Sequence, residues 1–178
     1  MIRIVIAEDQ ELLLGTIGSL LNMEDDMQVV GQAGNGEEAV ALVHQLQPDV
    51  CIMDIEMPKM SGLEAAEALK SVECKIIILT TFARNGYFER ALKADAKGYL
   101  LKDGPSDELV CSIRSIMAGN TIYSPDLMDE GSMNTEQENE LLKKTVAEPI
   151  ITNTSRNKFG MVRNYFSTIW DKMKLPTG

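Results

Sequence analysis

The stretch Val50-Cys51-Ile52-Met53-Asp54 is a short apolar run that ends in a carboxylate. An earlier run, Ile4-Val5-Ile6-Ala7, ends in two carboxylates, Glu8 and Asp9. Runs of four or five consecutive apolar residues are typical of strands that are buried on both faces of a parallel sheet. Because the carboxyl ends of neighbouring parallel strands meet at one edge of the sheet, we expect these three acids to lie close together.

Two further apolar runs end in polar residues of other kinds. The run Ile76-Ile77-Ile78-Leu79 is followed by Thr80, and the run Gly98-Tyr99-Leu100-Leu101 is followed by Lys102. Three crowded carboxylates cannot all stay ionised without a cation, and a hard divalent ion with oxygen ligands, Mg2+, suits them best. Acids, a hydroxyl and an amine at one sheet edge therefore predict a site of phosphoryl chemistry.

The first 120 residues alternate β-rich runs with amphipathic segments, which is the pattern of βα units around a parallel sheet. We predict an α/β fold, a flavodoxin-like, doubly wound, five-stranded parallel sheet, with a small α-helical C-terminal tail. The predicted domains are a first domain at 1–120, a linker at 121–133 and the tail at 134–178. The predicted strands are 2–7, 28–33, 49–53, 75–80 and 97–101, and the predicted helices are 10–23, 37–46, 62–70, 86–94 and 106–118.

Composition excludes several classes of function. The 178 residues carry a formal net charge of −10 with a pI near 4.6, which argues against nonspecific coating of nucleic acid or anionic membrane. No apolar stretch approaches the roughly 20 residues of a membrane helix, and the N-terminus does not resemble a signal peptide, so we expect a cytoplasmic protein without a membrane partner. Three cysteines without CxxC spacing and a single histidine, His44, make zinc sites and Ser/His triads poor candidates.

Three strings of residues resemble the receiver domain of bacterial two-component response regulators, in its NarL/LuxR branch. They are Val50-Cys51-Ile52-Met53-Asp54-Ile55-Glu56-Met57-Pro58, Ile78-Leu79-Thr80-Thr81-Phe82-Ala83-Arg84 and Gly98-Tyr99-Leu100-Leu101-Lys102-Asp103. The resemblance covers residues 1 to about 120. It implies a response regulator that accepts a phosphoryl group from a sensor histidine kinase and switches dimerisation and transcription, with membrane-lipid desaturase genes as one candidate target.

The resemblance also implies a role for each residue at the predicted sheet edge. Asp54 is the phosphoacceptor, Lys102 neutralises a phosphoryl oxygen, and Thr80 donates its hydroxyl to the phosphoryl group. Tyr99 is expected to turn inward as the loop after Thr80 closes. Such a protein is not an enzyme in the ordinary sense, because it assists only its own phosphorylation and dephosphorylation.

The same resemblance implies how Mg2+ is bound. Glu8, Asp9 and Asp54 supply carboxylate ligands, and Glu56 supplies its backbone carbonyl. Each of these acids taken alone is more often a solvated loop residue. Only their joint placement on successive strand ends favours the site.

Two other functions stay open at this point. One is a receiver whose output is contact with a protein partner, without DNA binding. The other is a phosphatase similar to the haloacid dehalogenases, because Asp54-x-Glu56 resembles the two-acid motif of that family. The acid pair on the first strand and the late position of Asp54 argue against this second alternative.

Extra apolar residues widen the core-facing stripes of two predicted helices. Leu12 and Met23 lie beside the stripe of the first helix, and Val110 and Met117 lie beside the stripe of the last. We expect these edges to merge into one patch that forms a homodimer on phosphorylation. The competing interpretation is that neighbouring loops cover them.

The tail differs from the first domain in composition and in resemblance. Residues 131–178 carry seven Lys or Arg against five Asp or Glu. Residues 135–142 resemble the opening helix of a LuxR-type helix-turn-helix, and a run at 160–174 resembles its recognition helix. This resemblance implies that Arg163 and Asn164 approach promoter DNA bases or phosphates, with Lys172 near the backbone. Because 149–159 is too short for the intervening scaffold helix, we expect weak DNA affinity. The alternative to a recognition helix is that 160–174 is an amphipathic helix that packs on the receiver or on a partner.

Overall fold

A computed structural model describes residues 1–81, 84 and 86–124 of the chain. Within these residues, strands and helices alternate along the sequence. The strands are β1 (Ile2–Ala7), β2 (Met27–Ala33), β3 (Val50–Met53), β4 (Lys75–Thr80), β5 (Gly98–Leu101) and β6 (Ile122–Tyr123). The helices are α1 (Glu11–Leu21), α2 (Gly36–Leu46), α3 (Gly62–Ala68), α4 (Tyr87–Lys93) and α5 (Ser106–Met117).

The strands form one parallel sheet in the order β2-β1-β3-β4-β5-β6. One core cluster joins residues of α2, α3 and α4 to one face of the sheet, and a second joins residues of α1 and α5 to the other face. All four residues of β3 are buried, as expected for a central strand that is covered on both faces. The predicted α/β, doubly wound, flavodoxin-like architecture is confirmed.

The sixth strand is the main difference from the predicted topology. Ile122 and Tyr123 pair in parallel with Gly98 and Tyr99, so β5 is not an edge strand over these residues. The sequence analysis assigned 121–133 to a linker, because two residues are too few to show any hydrophobic periodicity. The sheet thus extends into the segment that leads to the tail.

The helix ends agree with the predicted ends to within two residues. The start of α3 shows why, since Ser61 and Glu64 form a reciprocal capping box in which each side chain accepts from the other residue's backbone N–H. No helix in the described part of the chain is long and apolar enough to cross a membrane. The predicted α-helical tail at 134–178 lies outside the described residues.

Candidate functional site

Two adjacent strands bring the predicted acids together. The last residues of β1 and β3, Ala7 and Met53, are in register, so Glu8 and Asp54 follow at the same level of the sheet edge. The backbone N–H of Asp54 donates to the carbonyl of Ala7 at 3.0 Å, which extends the pairing of β1 and β3 by one residue. One carboxylate oxygen from each of Glu8, Asp9 and Asp54 lies within 4.8 Å of the other two. This set of hard oxygen donors could hold a metal ion.

The ammonium group of Lys102 lies between two of these acids. Its Nζ is 2.6 Å from Oε2 of Glu8 and 2.8 Å from Oδ2 of Asp54. The side chains of Lys102 and Glu8 are each 2% exposed, and that of Asp54 is 8% exposed. The three groups therefore form a buried ion cluster, while Asp9 is exposed at its rim.

Burial controls the protonation of this cluster. The loss of solvation raises the pKa of Glu8 to about 7, although the charge of Lys102 and the hydrogen bond from it act in the opposite direction. Burial also raises the pKa of Asp54, again against the effect of Lys102. One ammonium group offsets only part of the cost of holding two carboxylates away from water. The site is therefore suited to gaining a further cation.

Thr80 and Tyr99 lie on the two strands that complete the site. Thr80 ends β4 and is buried, and its carbonyl accepts the backbone N–H of Lys102 at 2.8 Å. The sheet thus places the hydroxyl and the amine on adjacent strand ends, as predicted. Tyr99 of β5 is fully buried in this structure.

Glu56 and Arg84 form an ion pair at the mouth of the site. Oε1 of Glu56 lies 2.8 Å from the guanidinium of Arg84, and both side chains are more than half exposed. The side chain of Glu56 therefore points away from the acid cluster and faces solvent. The sequence analysis missed this role of Arg84, because a single charged residue in a loop carries no pattern.

The sequence analysis also missed a glycine that lets the loop after β3 fold back beside Asp54. A Cβ atom at Gly62 would overlap the backbone carbonyl of Asp54, and the Gly62 N–H donates to the carbonyl of Ile55 at 3.0 Å. Any larger residue at position 62 would displace the segment that carries Asp54 and Glu56. The signal was present as Pro58 followed by Ser61-Gly62, which indicates a tight loop that ends at a helix cap.

The predicted dimer patch is only partly present on the surface. Leu12 is 61% exposed and Met23 is 64% exposed. Val110 is buried in the core between α5 and the sheet, and Met117 is partly buried against the same core. The prediction that Val110 contributes to the dimer patch is therefore wrong. The buried face of α5 is wider than the apolar stripe that the helical repeat of the sequence indicates. The predicted DNA-contacting residues, Arg163, Asn164 and Lys172, lie outside the described residues.

Comparisons with known proteins agree with this geometry. A model of the response regulator receiver domain matches residues 4–114. The chain is 56% identical to the transcriptional regulatory protein DesR of Bacillus subtilis (strain 168), over 98% of this chain and 92% of DesR. It is 50% identical to the uncharacterized transcriptional regulatory protein YvfU of the same organism, over 97% of this chain and 91% of YvfU.

A solved structure shows the same fold. It is a DNA-binding response regulator of the LuxR family from Staphylococcus aureus, which is 38% identical with a TM-score of 0.63. The match covers 65% of this chain and 98% of that chain.

Proposed function

Because the chain belongs to the response regulator receiver family of two-component systems, we propose that Asp54 is the residue that a sensor histidine kinase phosphorylates. The observation that carries this proposal is the position of the Asp54 carboxylate. It is buried at the carboxyl end of β3, within 2.8 Å of the Lys102 ammonium and beside the acids of Glu8 and Asp9. Within the described residues, Glu8 and Asp54 are the two buried carboxylates that contact Lys102, and the family resemblance assigns the phosphoacceptor role to Asp54.

The chemistry follows from these contacts. A carboxylate oxygen of Asp54 attacks the phosphorus of a phosphohistidine, the P–N bond breaks, and the histidine leaves with that electron pair. The product is an acyl phosphate on Asp54. Lys102, now paired with Asp54 and Glu8, can move its charge onto a phosphoryl oxygen, and Thr80 donates its hydroxyl to another.

The acid cluster is suited to Mg2+, with Glu8, Asp9, Asp54 and the backbone carbonyl of Glu56 as the residues that would hold it. When bound, Mg2+ neutralises the negative charge that accumulates on the phosphoryl oxygens. Burial raises the pKa of Glu8 and of Asp54 even though both contact Lys102, which favours a further cation beside these acids. The residues around Asp54 thereby assist phosphorylation and dephosphorylation of this chain alone.

Labelling experiments test this proposal directly. Asp54 should be the only acid modified by acetyl phosphate, or bound by beryllofluoride, in the presence of Mg2+. Asp54→Asn should abolish the modification, and excess chelator should block it in the wild type. The matched control is Asp25→Asn, an exposed acid after α1 that should leave labelling unchanged. Labelling that persists in Asp54→Asn or in chelator would contradict the proposal.

The phosphatase alternative lacks support from the described residues. The second acid of its motif, Glu56, directs its side chain to Arg84 at the exposed mouth rather than toward Asp54. The family match and the regulatory relatives also favour a regulator. Turnover of an added phosphomonoester by the wild type would revive the alternative.

We expect a regulator of transcription whose tail binds DNA only weakly by itself. The relatives are transcriptional regulatory proteins, yet the segment 149–159 is too short for the scaffold helix that a helix-turn-helix needs. Gel retardation on genomic fragments at about 150 mM salt should show weak binding that falls steeply with added salt. A discrete, competitor-resistant complex that Arg163→Ala abolishes and Lys70→Ala retains would contradict this expectation. Complete absence of DNA binding would favour output through a protein partner.

A further inference from the structure

Three aromatic rings connect the phosphorylation site to the segment that precedes the tail. Phe88 of α4 packs against Tyr99 of β5 with ring centroids 5.5 Å apart, and against Tyr123 of β6 with centroids 5.4 Å apart and an edge-to-face angle of 80°. Phe88 and Tyr99 are buried, and Tyr123 is half-buried. Such pairs stabilise one another beyond the area that they bury. The position of Tyr123 therefore depends on the ring of Phe88, and through it on Tyr99.

Hydrogen bonds attach the same segment to β5 along its whole length. The backbone N–H of Ile122 donates to the carbonyl of Lys97 at 2.9 Å, and that of Ser124 donates to the carbonyl of Tyr99 at 2.8 Å. The hydroxyl of Tyr123 donates to the carbonyl of Ala96 at 3.0 Å. A strand of two residues cannot hold its own position, since an isolated pair of strands this short is marginal in water. On one sheet face Ile122 packs against the core that contains α5, and on the other Tyr123 depends on the rings of Phe88 and Tyr99.

The geometry points to a latch, formed by β6 and the rings of Tyr99, Phe88 and Tyr123, through which the state of Asp54 controls the segment after Ser124. This inference rests on the proposed function and on the inward turn of Tyr99, which the family resemblance implies for closure of the loop after Thr80. Lys102, which contacts Asp54, is three residues after Tyr99, and β5 joins the two. When the Tyr99 ring is inside the protein, the latch is closed. When the ring turns outward, Phe88 loses its contact with Tyr99, and β6 then loses the packing of Tyr123 on Phe88.

The direction of the effect follows from the structure. Tyr99 is inside and β6 is paired in the same conformation, so a ligand that favours the inward ring must also favour the paired strand. Coupling of this kind is reciprocal, so weakening β6 must weaken binding of that ligand at Asp54 by the same factor. This reciprocity separates a latch from a strand that merely covers the sheet edge.

Amide hydrogen exchange of the full chain in Mg2+, with and without beryllofluoride, tests the latch. We expect beryllofluoride to slow exchange of the Ile122 and Ser124 amides by about fivefold or more, the lower end of ordinary coupling between sites. Unchanged or faster exchange at these amides, while beryllofluoride is bound at Asp54, would overturn the latch and leave the phosphoacceptor intact. Failure of beryllofluoride to bind at Asp54 would overturn both proposals.

Variants at Tyr123 supply the reciprocal measurement. Tyr123→Ala removes the ring and should weaken beryllofluoride binding by about fivefold or more, in line with the coupling above. Tyr123→Phe keeps the ring, so its affinity should stay near that of the wild type. Asn120→Ala is the matched control, because its side chain contacts Ser115 and not the rings. An affinity in Tyr123→Ala equal to that of Asn120→Ala would overturn the latch.

Discussion

Two ion clusters in this protein share one composition and differ in almost every property. Each consists of one basic side chain between two carboxylates. Lys102 contacts Glu8 and Asp54 at the carboxyl edge of the sheet, at 2.6 and 2.8 Å. Arg114 of α5 contacts Glu24 and Asp26 in the connection between α1 and β2, at 2.7 and 2.6 Å. Contact distance alone does not distinguish them.

Burial separates the two clusters. The side chains at the sheet edge are 2–8% exposed, whereas Arg114 and Asp26 are 43% and 47% exposed, with Glu24 at 12%. Burial is the largest influence on Glu8 and raises its pKa to about 7, whereas the hydrogen bond from Arg114 is the largest influence on Asp26 and lowers its pKa. In water an ion pair costs little to form and contributes little, but inside the protein the lost solvation exceeds the attraction. We infer that the buried cluster is kept for chemistry and the exposed one for modest stability.

Lys102→Met gives the largest effect that this comparison predicts. Lys102 is the cation that the described residues place between two buried carboxylates. Removing it should lower the free energy of unfolding by about 3 kcal/mol without divalent ions, and Mg2+ should restore part of the loss. The activation free energy of phosphorylation should also rise by about 2 kcal/mol or more, which slows the reaction. Chemical denaturation with and without Mg2+, together with acetyl phosphate labelling, measures both effects.

The control for this prediction is Lys97→Met. Lys97 pairs with Asp95 at 2.6 Å, but Asp95 is largely exposed, so the loss should stay below about 1 kcal/mol. Equal destabilisation of the two variants would mean that burial is not what distinguishes the clusters. Normal phosphorylation of Lys102→Met would show that the lysine does not act on the phosphoryl group.

Leu12→Asp should have an intermediate effect, on association rather than on folding. Leu12 is exposed on α1, which covers the same sheet face as the Arg114-bearing α5, and phosphorylation is expected to bury it in a homodimer. An ionised carboxylate in an apolar contact should weaken that dimer by about tenfold or more. Sedimentation of the beryllofluoride-treated variant against wild type measures this.

Ala41→Asp is the matched control for the dimer. Ala41 is exposed on α2, which packs on the opposite face of the sheet, so it should dimerise as the wild type does. If Leu12→Asp associates as strongly as Ala41→Asp, the dimer interface lies elsewhere. Val110→Asp is unsuitable for this purpose, because Val110 is buried and its replacement would unfold the domain.

Arg114→Gln should have the smallest effect and a characteristic pH dependence. The pKa of Asp26 is lowered in the folded state, so its contribution to stability is present above the ordinary pKa of 3.8 and is lost as the pH falls through the lowered value. Arg114→Gln should therefore cost less than about 1 kcal/mol at pH 7, given the exposure of the pair, and almost nothing at strongly acidic pH. Urea denaturation at the two pH values provides the measurement, and a loss that is the same at both would contradict it.

The order of the elements and the position of the site could be predicted from local sequence. Apolar runs that end in Asp9, Asp54, Thr80 and Lys102 define strands and their carboxyl ends without reference to distant residues. Parallel strands must then place those ends at one edge, so the cluster follows from topology alone. The positions of the acids, the hydroxyl and the amine are therefore predictable from local sequence.

Other properties depended on contacts between residues far apart in the chain. β6 exists because Tyr123 packs on Phe88 and because its strand bonds to β5, and neither partner is visible in two residues of sequence. Val110 joined the core because the sheet covers more of α5 than a helical period indicates.

Sequence by itself determined which charges this protein carries and at which strand ends they lie. Only the tertiary structure decided that Lys102, Glu8 and Asp54 are buried together whereas Arg114, with Asp26, remains at the surface. The physical reason is that solvation depends on everything packed around a group. A pKa or an ion-pair strength is therefore a property of the folded surroundings and not of the residues that bear the charge.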